Sequence, residues 1–241
     1  MHPFFSAPRP LVFAHRGGGA LAPENTFAAF DNGLACGADG LELDVHLSRD
    51  GRVVVHHDLT LDRTTALRGP IADRTGDELA RAHVPALSAV LERYPDVRVI
   101  IELKVDSPDL ALAVVDVVRR ADAVARVCVG SFGLRALRSA RTAEPAMATS
   151  AARDEVRWAL YRSWAGWPSR RAAFHGYQIP ELAGSTRVVS PRFIEHAHDA
   201  GLGVQVWTVD TEADARRLLG WGVDALITDR PDIIVHAARH T

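Results

Sequence analysis

Three carboxylates and two histidines carry the residue types and spacing that could do chemistry in this chain. Glu42 and Asp44 lie in GLELDVHLSRDGRVVVHHD (40–58), where Leu41, Leu43 and Val45 alternate with Glu42, Asp44 and His46. Side chains two apart on a strand share a face, so both carboxylates, and His46 by parity, point the same way. Like charges so placed repel unless a cation, a hydrogen-bond network or water compensates them. The bland alternative is a half-exposed hairpin, polar outside and apolar inside. A third acid, Glu102, closes the apolar run 97–103 and shares a face with Lys104. Oxygen-only ligation by Glu42, Asp44 and Glu102 points to one divalent cation, Mg²⁺ or Ca²⁺, rather than zinc. His15 and His57 titrate near neutrality and suit a general acid and base pair. Arg16 and Lys104 beside them suit an anionic group, phosphate above all. Metal, paired histidines and cations together describe phosphoryl-ester chemistry.

Positioning such a set takes a scaffold that brings distant stretches together. The run 11–14 reads as a strand ending in His15-Arg16 and the glycines 17–19, which let backbone N–H groups approach a ligand. This turn lacks the G-x-G-x-x-G spacing of a dinucleotide site. Asn25 or Thr26 caps a helix with Phe27, Phe30 and Leu34 on one stripe. Asp50-Gly51 turns the 40–47 strand into the β-branched run 53–55. Residues 59–84 have weak periodicity and read as an insertion after the second strand, a loop that covers a site. Strand and helix then alternate to the C-terminus, with clear strands at 97–103, 127–132, 203–209 and 225–228 and weak ones at 146–150 and 177–180. Eight such units with no linker predict one domain over 1–241, a (β/α)₈ barrel. A doubly wound open sheet is the alternative. In a barrel His15, Glu42, Asp44, His57, Glu102, Lys104 and Trp207 all fall at or just beyond the C-terminal end of a strand, where such folds do their chemistry.

Composition narrows the setting. The chain has 241 residues, 47% hydrophobic and 24% charged, with a formal net charge of −2. That is an ordinary globular balance with no nucleic-acid footprint. No apolar run is long enough to span a bilayer, and prolines 3, 8 and 10 interrupt any signal-peptide core. Cys36 and Cys128 lack metal-ligand spacing, so a reduced, cytoplasmic setting is expected. Of 28 basic residues only Lys104 is lysine; GC-rich codon usage accounts for such a bias, and a demand for a compact, flexible ammonium at that position is the alternative.

The motifs resemble those of the glycerophosphodiester phosphodiesterases nearly end to end: HRGGGALAPENTFAAF at 15–30, ELDVHLSRDGRVVVHHD at 42–58, LDRTT at 61–65, IELK at 101–104, VQVWTVD at 204–210 and GVDALITDRPD at 222–232. The resemblance implies a TIM barrel that hydrolyses glycerophosphodiesters to glycerol 3-phosphate and an alcohol with a bound divalent cation. It implies Glu42, Asp44 and Glu102 as metal ligands, His15 and His57 as the acid/base pair, Arg16 and Lys104 on phosphate, and Trp207 lining the pocket. Both direct attack by water and prior attack by a substrate hydroxyl fit it. Ser48 replaces a usual threonine and Asp210 a frequent asparagine, and neither is expected to touch the chemistry. Two rivals remain on the residues alone, a lysophospholipid-cleaving barrel of phospholipase D type and an inactive barrel that binds phospholipid head groups.

Several polar and aromatic residues have a plainer expectation. Glu24 and Asn25 build the first helix's N-terminus, and His196 and His198 are solvated or packed on a helix. His56 is structural, and Trp158, Trp164 and Trp167 pack a helix onto the barrel rather than facing lipid.

Overall fold

A computed structural model describes residues 1–167 and 172–240. β1 (Leu11–His15) leads through the glycine turn into α1 (Phe27–Ala35), which Thr26 caps by accepting from the Ala29 N–H. Gly33 lets this helix lie on the first strand and its turn, since a Cβ there would come within 2.7 Å of the Ala14 Cβ and 2.6 Å of the Gly17 carbonyl oxygen. β2 (Gly40–Leu47) folds back as β3 (Val53–Val55), antiparallel, with Val45 opposite Val55. The 59–84 stretch is more ordered than its weak periodicity suggests. It holds a 3₁₀ turn at Ile71–Asp73 and α2 (Gly76–Arg81), opened by a Thr75–Glu78 capping box, and buries Leu61, Ile71, Leu79 and Val84 with Val54.

α3 (Leu87–Arg93), β4 (Arg98–Leu103), α4 (Pro108–Arg120), β5 (Val127–Gly130) and α5 (Leu134–Ala143) follow. Then come β6 (Ala148–Thr149), α6 (Arg153–Ala165), β7 (Gly176–Pro180) and a rim hairpin, β8 (Leu182–Ala183) and β9 (Thr186–Arg187), which the sequence did not suggest. α7 (Pro191–Asp199), β10 (Gly203–Trp207), α8 (Glu212–Gly220), β11 (Ala225–Thr228) and α9 (Pro231–Arg239) complete the chain.

Eight parallel strands run in the order β6-β5-β4-β2-β1-β11-β10-β7. A parallel bridge between Ser150 and Gly176 draws the two ends of that order together, so the sheet closes on itself as a nearly complete (β/α)₈ TIM barrel. An open doubly wound sheet would leave those ends apart.

The two-residue period of the strands decides what faces the lumen. Phe13, Ile100, Cys128, Ala148 and Ile227 come from five different strands yet form one buried cluster with Phe4 and Phe5, which is the barrel interior. Phe5 fills the floor: a Cβ on Gly176 or Gly203 would meet its side chain at 2.4 or 2.8 Å. Leu41, Leu43, Val45, Val99, Ile101 and Leu103 take the opposite phase and pack with the buried residues of α3 and α4. One step beyond Phe13 and Ile100, on the same inward phase, stand His15 and Glu102.

The tryptophans depart from expectation. α6 buries Leu160 and Ser163, while Trp158, Trp164 and Trp167 are 63%, 53% and 58% exposed. So exposed, they do not brace the helix against the barrel; Trp164, one turn beyond Leu160, lines the barrel mouth instead. Among the described residues no helix is long and apolar enough to cross a membrane.

Candidate active site

Strand register assembles the site. His15 pairs laterally with Glu42 across β1 and β2, and Asp44 with Glu102 across β2 and β4. A cleft of about 930 Å³ at this end of the barrel is lined by His15, Arg16, Glu42, Asp44, His57, Glu102, Lys104 and Trp207, so every sequence candidate reaches it.

Each of the two histidines leans on an aspartate. His15 Nδ1 lies 2.8 Å from Asp229 Oδ1, and His57 Nδ1 lies 2.6 Å from Asp58 Oδ1. A carboxylate only accepts, so Nδ1 donates in both cases and leaves Nε2 as the working nitrogen. Burial alone would lower the His15 pKa, but Glu42, with Oε2 3.8 Å from Nε2, and Asp229 outweigh it and raise it. Asp58 also accepts from Arg63 Nε at 2.6 Å, and that guanidinium, with His57, holds its carboxyl well below the usual range. Arg63 further forks onto Glu24 at 2.9 and 2.7 Å, and Glu24 accepts from Arg16 at 3.2 Å. One arginine from the insertion thereby ties the His57 side of the mouth to the Arg16 side.

The neighbouring histidines do something else. Buried His56 has both ring nitrogens engaged, with the Asp58 carbonyl at 3.0 Å and Thr64 Oγ1 at 2.9 Å. Buried His46 donates from Nε2 to the His57 carbonyl at 3.1 Å, which places it behind the cleft rather than in it. Burial lowers the pKa of both rings and favours their neutral forms.

Of the three candidate ligands, Asp44 is the most heavily engaged carboxylate. Lys104 Nζ stands 3.2 Å from Oδ1, Arg16 Nε 3.3 Å from Oδ2, and Asn25 Nδ2 donates to Oδ2 at 3.0 Å. Arg16 and Asn25 both take left-handed backbone angles, φ 52° and 58°, linked by the Asn25 N–H donating to the Arg16 carbonyl at 2.9 Å. That conformation is uncommon outside glycine and asparagine, and it turns the Asn25 amide from the helix end toward Asp44. Thr26 is the cap; Asn25 and Glu24 belong to the site's network instead.

Burial, then the charge of Asp44, pushes Glu42 up to about 7; burial pushes Glu102 up to about 8 against the opposing pull of Lys104. Both need a nearby positive charge to stay ionised at neutral pH, and with Asp44 they offer oxygen donors only, which fits a hard divalent cation in kind. Among the described residues no three His, Cys, Asp or Glu side chains stand together as a ready metal cage. Asp44 is drawn instead onto Lys104 and Arg16.

Glu24, Asn25, Asp58, Arg63 and Asp229 are the participants sequence reasoning did not assign. Asp58 and Arg63 sit inside the 42–58 and 61–65 motifs, and adjacency to His57 was an available signal for Asp58. Asp229 is 214 positions from His15, and only barrel closure makes them neighbours. Asp210 also matters more than expected: its carboxylate accepts from the Asp229 N–H at 2.8 Å and the Thr228 hydroxyl at 2.9 Å, fixing the loop that carries the His15 partner.

The Glycerophosphoryl diester phosphodiesterase family pattern matches residues 15–233. A glycerophosphodiester phosphodiesterase of Caldanaerobacter subterraneus subsp. tengcongensis is 30% identical over 96% of this chain and 98% of its own length. The crystal structure of a glycerophosphodiester phosphodiesterase from Agrobacterium tumefaciens has 31% identity and TM-score 0.77, covering 93% of this chain and 99% of that one. An Oleispira antarctica phosphodiesterase in complex with the product sn-glycerol-3-phosphate has 27% identity and TM-score 0.76, over 95% and 96% of the two chains. The match takes in His15, Glu42, Asp44, His57, Glu102, Trp207 and Asp229, and the chain belongs to the glycerophosphoryl diester phosphodiesterase family.

Proposed function

We propose that the barrel mouth hydrolyses glycerophosphodiesters to sn-glycerol 3-phosphate and an alcohol by acid/base catalysis from His15 and His57. What supports this reading most is one cleft that gathers two Asp-backed histidines, three inward carboxylates and two cations. One ring accepts the proton of the attacking water as its oxygen bonds to phosphorus; the other protonates the alcohol as its P–O bond breaks. Asp229 and Asp58 keep each Nε2 presented and stabilise the imidazolium that forms, the logic of Asp-backed histidines generally. Arg16 and Lys104 hold the phosphate oxygens when substrate draws them from Asp44, and Trp207 forms a wall. Glu42, Asp44 and Glu102 would hold one divalent cation, Mg²⁺ or Ca²⁺. When bound, it would neutralise phosphate charge and polarise the phosphoryl group. We place the enzyme in the cytoplasm, as a single domain.

The test is enzymatic detection of sn-glycerol 3-phosphate from a panel of glycerophosphodiesters with different alcohols. Stoichiometric release of both products is expected. Binding without turnover on every substrate would instead identify a head-group-binding barrel.

A further inference from the structure

Glu24 sits where it could disable the site. Its side chain is only 17% exposed, and Oε1 lies 3.2 Å from Arg16 Nη1, so it competes with substrate phosphate for that guanidinium. Asp44 is a second competitor, with Oδ2 3.3 Å from Arg16 Nε. An arginine held between two carboxylates is a poor phosphate ligand, because each charge-assisted contact must be given up on binding. In the reading above Asp44 turns to a cation, whereas Glu24 lies outside the cleft lining and stays.

Arg63 occupies Glu24 from the other side. It reaches from the insertion to place Nη2 2.7 Å from the same Oε1 and Nη1 2.9 Å from Oε2, a two-pronged fork that takes both oxygens. Arg16 is left with the longer contact, to an oxygen already bonded. The Arg63 hydrogen bond is the largest cause of the lowered pKa of Glu24, ahead of either effect of Arg16. Arg16 is correspondingly under-used: its buried Nε has no hydrogen-bond partner among the described residues. A buried donor left open in a site is what a bound oxygen would satisfy. Arg63 Nε goes to Asp58 at 2.6 Å, and Arg63 itself does not line the cleft, so it reaches substrate only through its neighbours.

We propose that Arg63 is a positioning residue that draws the Glu24 carboxylate off Arg16 and so keeps that guanidinium free to hold the substrate phosphate. The insertion thereby sets phosphate affinity from outside the cleft. The inference rests on Arg16 holding phosphate in the hydrolytic reading above.

The parent, Arg63→Ala, Glu24→Gln and the double variant are compared on glycerophosphoglycerol with Mg²⁺ or Ca²⁺ present, and their affinity for sn-glycerol 3-phosphate is read by calorimetry. Arg63→Ala should raise KM on the order of fivefold, the upper end for a pair partly shielded from water, as Glu24 closes onto Arg16. Asp58 keeps its own bond to His57, so kcat should stay within about threefold. Arg63→Lys, with one ammonium for two acids, should fall between the parent and Arg63→Ala. Glu24→Gln should lower KM, and adding it to Arg63→Ala should bring KM back to within about twofold of the parent. A KM that Glu24→Gln fails to restore means that Arg63 braces the insertion or meets phosphate itself, and overturns the proposal. A raised KM in Glu24→Gln alone means that Glu24 orients Arg16 rather than withholding it, and overturns it too. The affinities should follow the order of the KM values. A parent that binds sn-glycerol 3-phosphate without turnover would therefore sink the hydrolytic reading and still let the affinities decide on Arg63.

Discussion

His56 and His57 are adjacent in the chain and meet opposite environments. His57 faces the cleft with Nδ1 against Asp58, whereas His56 is buried with both nitrogens bonded. His57→Ala should therefore lower kcat by roughly 10²–10⁴-fold with little change in melting temperature, as loss of an acid/base group does. His56→Ala should instead cost stability, about 1–3 kcal/mol from buried partners left unpaired, visible in denaturant titration. If His56→Ala removes turnover and His57→Ala does not, the assignment is wrong. At this scale the reach of Glu42, Asp44 and Glu102 into one cleft was legible, because strand parity is a local property. The partners were not. Asn25 reads as a helix cap until its left-handed backbone turns it to Asp44, and Asp229 reads as a helix opener until closure brings it beneath His15.

Among the elements, the strands and helices that alternate cleanly were legible and the exceptions have physical reasons. α2 is short and packs Leu79 on the four other residues of a small separate core, so its apolar positions are too few to show a period. The β8–β9 hairpin is exposed throughout, and a rim element with nothing to bury leaves no hydrophobic pattern. α6 misled because tryptophan count suggested packing, whereas Leu160 and Ser163 make its buried contacts. The N-terminal segment is a structural element despite having no regular conformation: Phe4 and Phe5 close the barrel floor beneath Phe13. Phe5→Ala should destabilise the fold by about 3–5 kcal/mol, the usual cost of emptying a phenylalanine site. Guanidinium unfolding measures it; a loss under about 1 kcal/mol would mean the floor collapses onto the gap.

For the whole molecule, a closed parallel barrel concentrates buried acid at one end, and that has a pH signature. Glu42 and Glu102 are raised by burial to about 7 and about 8, from an ordinary 4.5. The folded state thus binds these protons more tightly than the unfolded state. Their contribution to stability is full below about 4.5 and is lost as pH rises through 7 to 8. In chelator the melting temperature should fall between pH 6 and pH 8.5. A divalent cation should restore it at the alkaline end, as a ligand of the native state. A flat profile in chelator would count against the buried carboxylates as a charged, cation-seeking set.

The fold, the family and the enzyme class follow from strand alternation and motif; the proposed mechanism stands or falls on the cation's part in turnover. It is measured by following sn-glycerol 3-phosphate release from glycerophosphoglycerol with chelator-treated enzyme, before and after addition of Mg²⁺ or Ca²⁺. No product is expected in chelator, and recovery with one of the two cations, with Glu102→Gln failing to recover. Full turnover in chelator would contradict it.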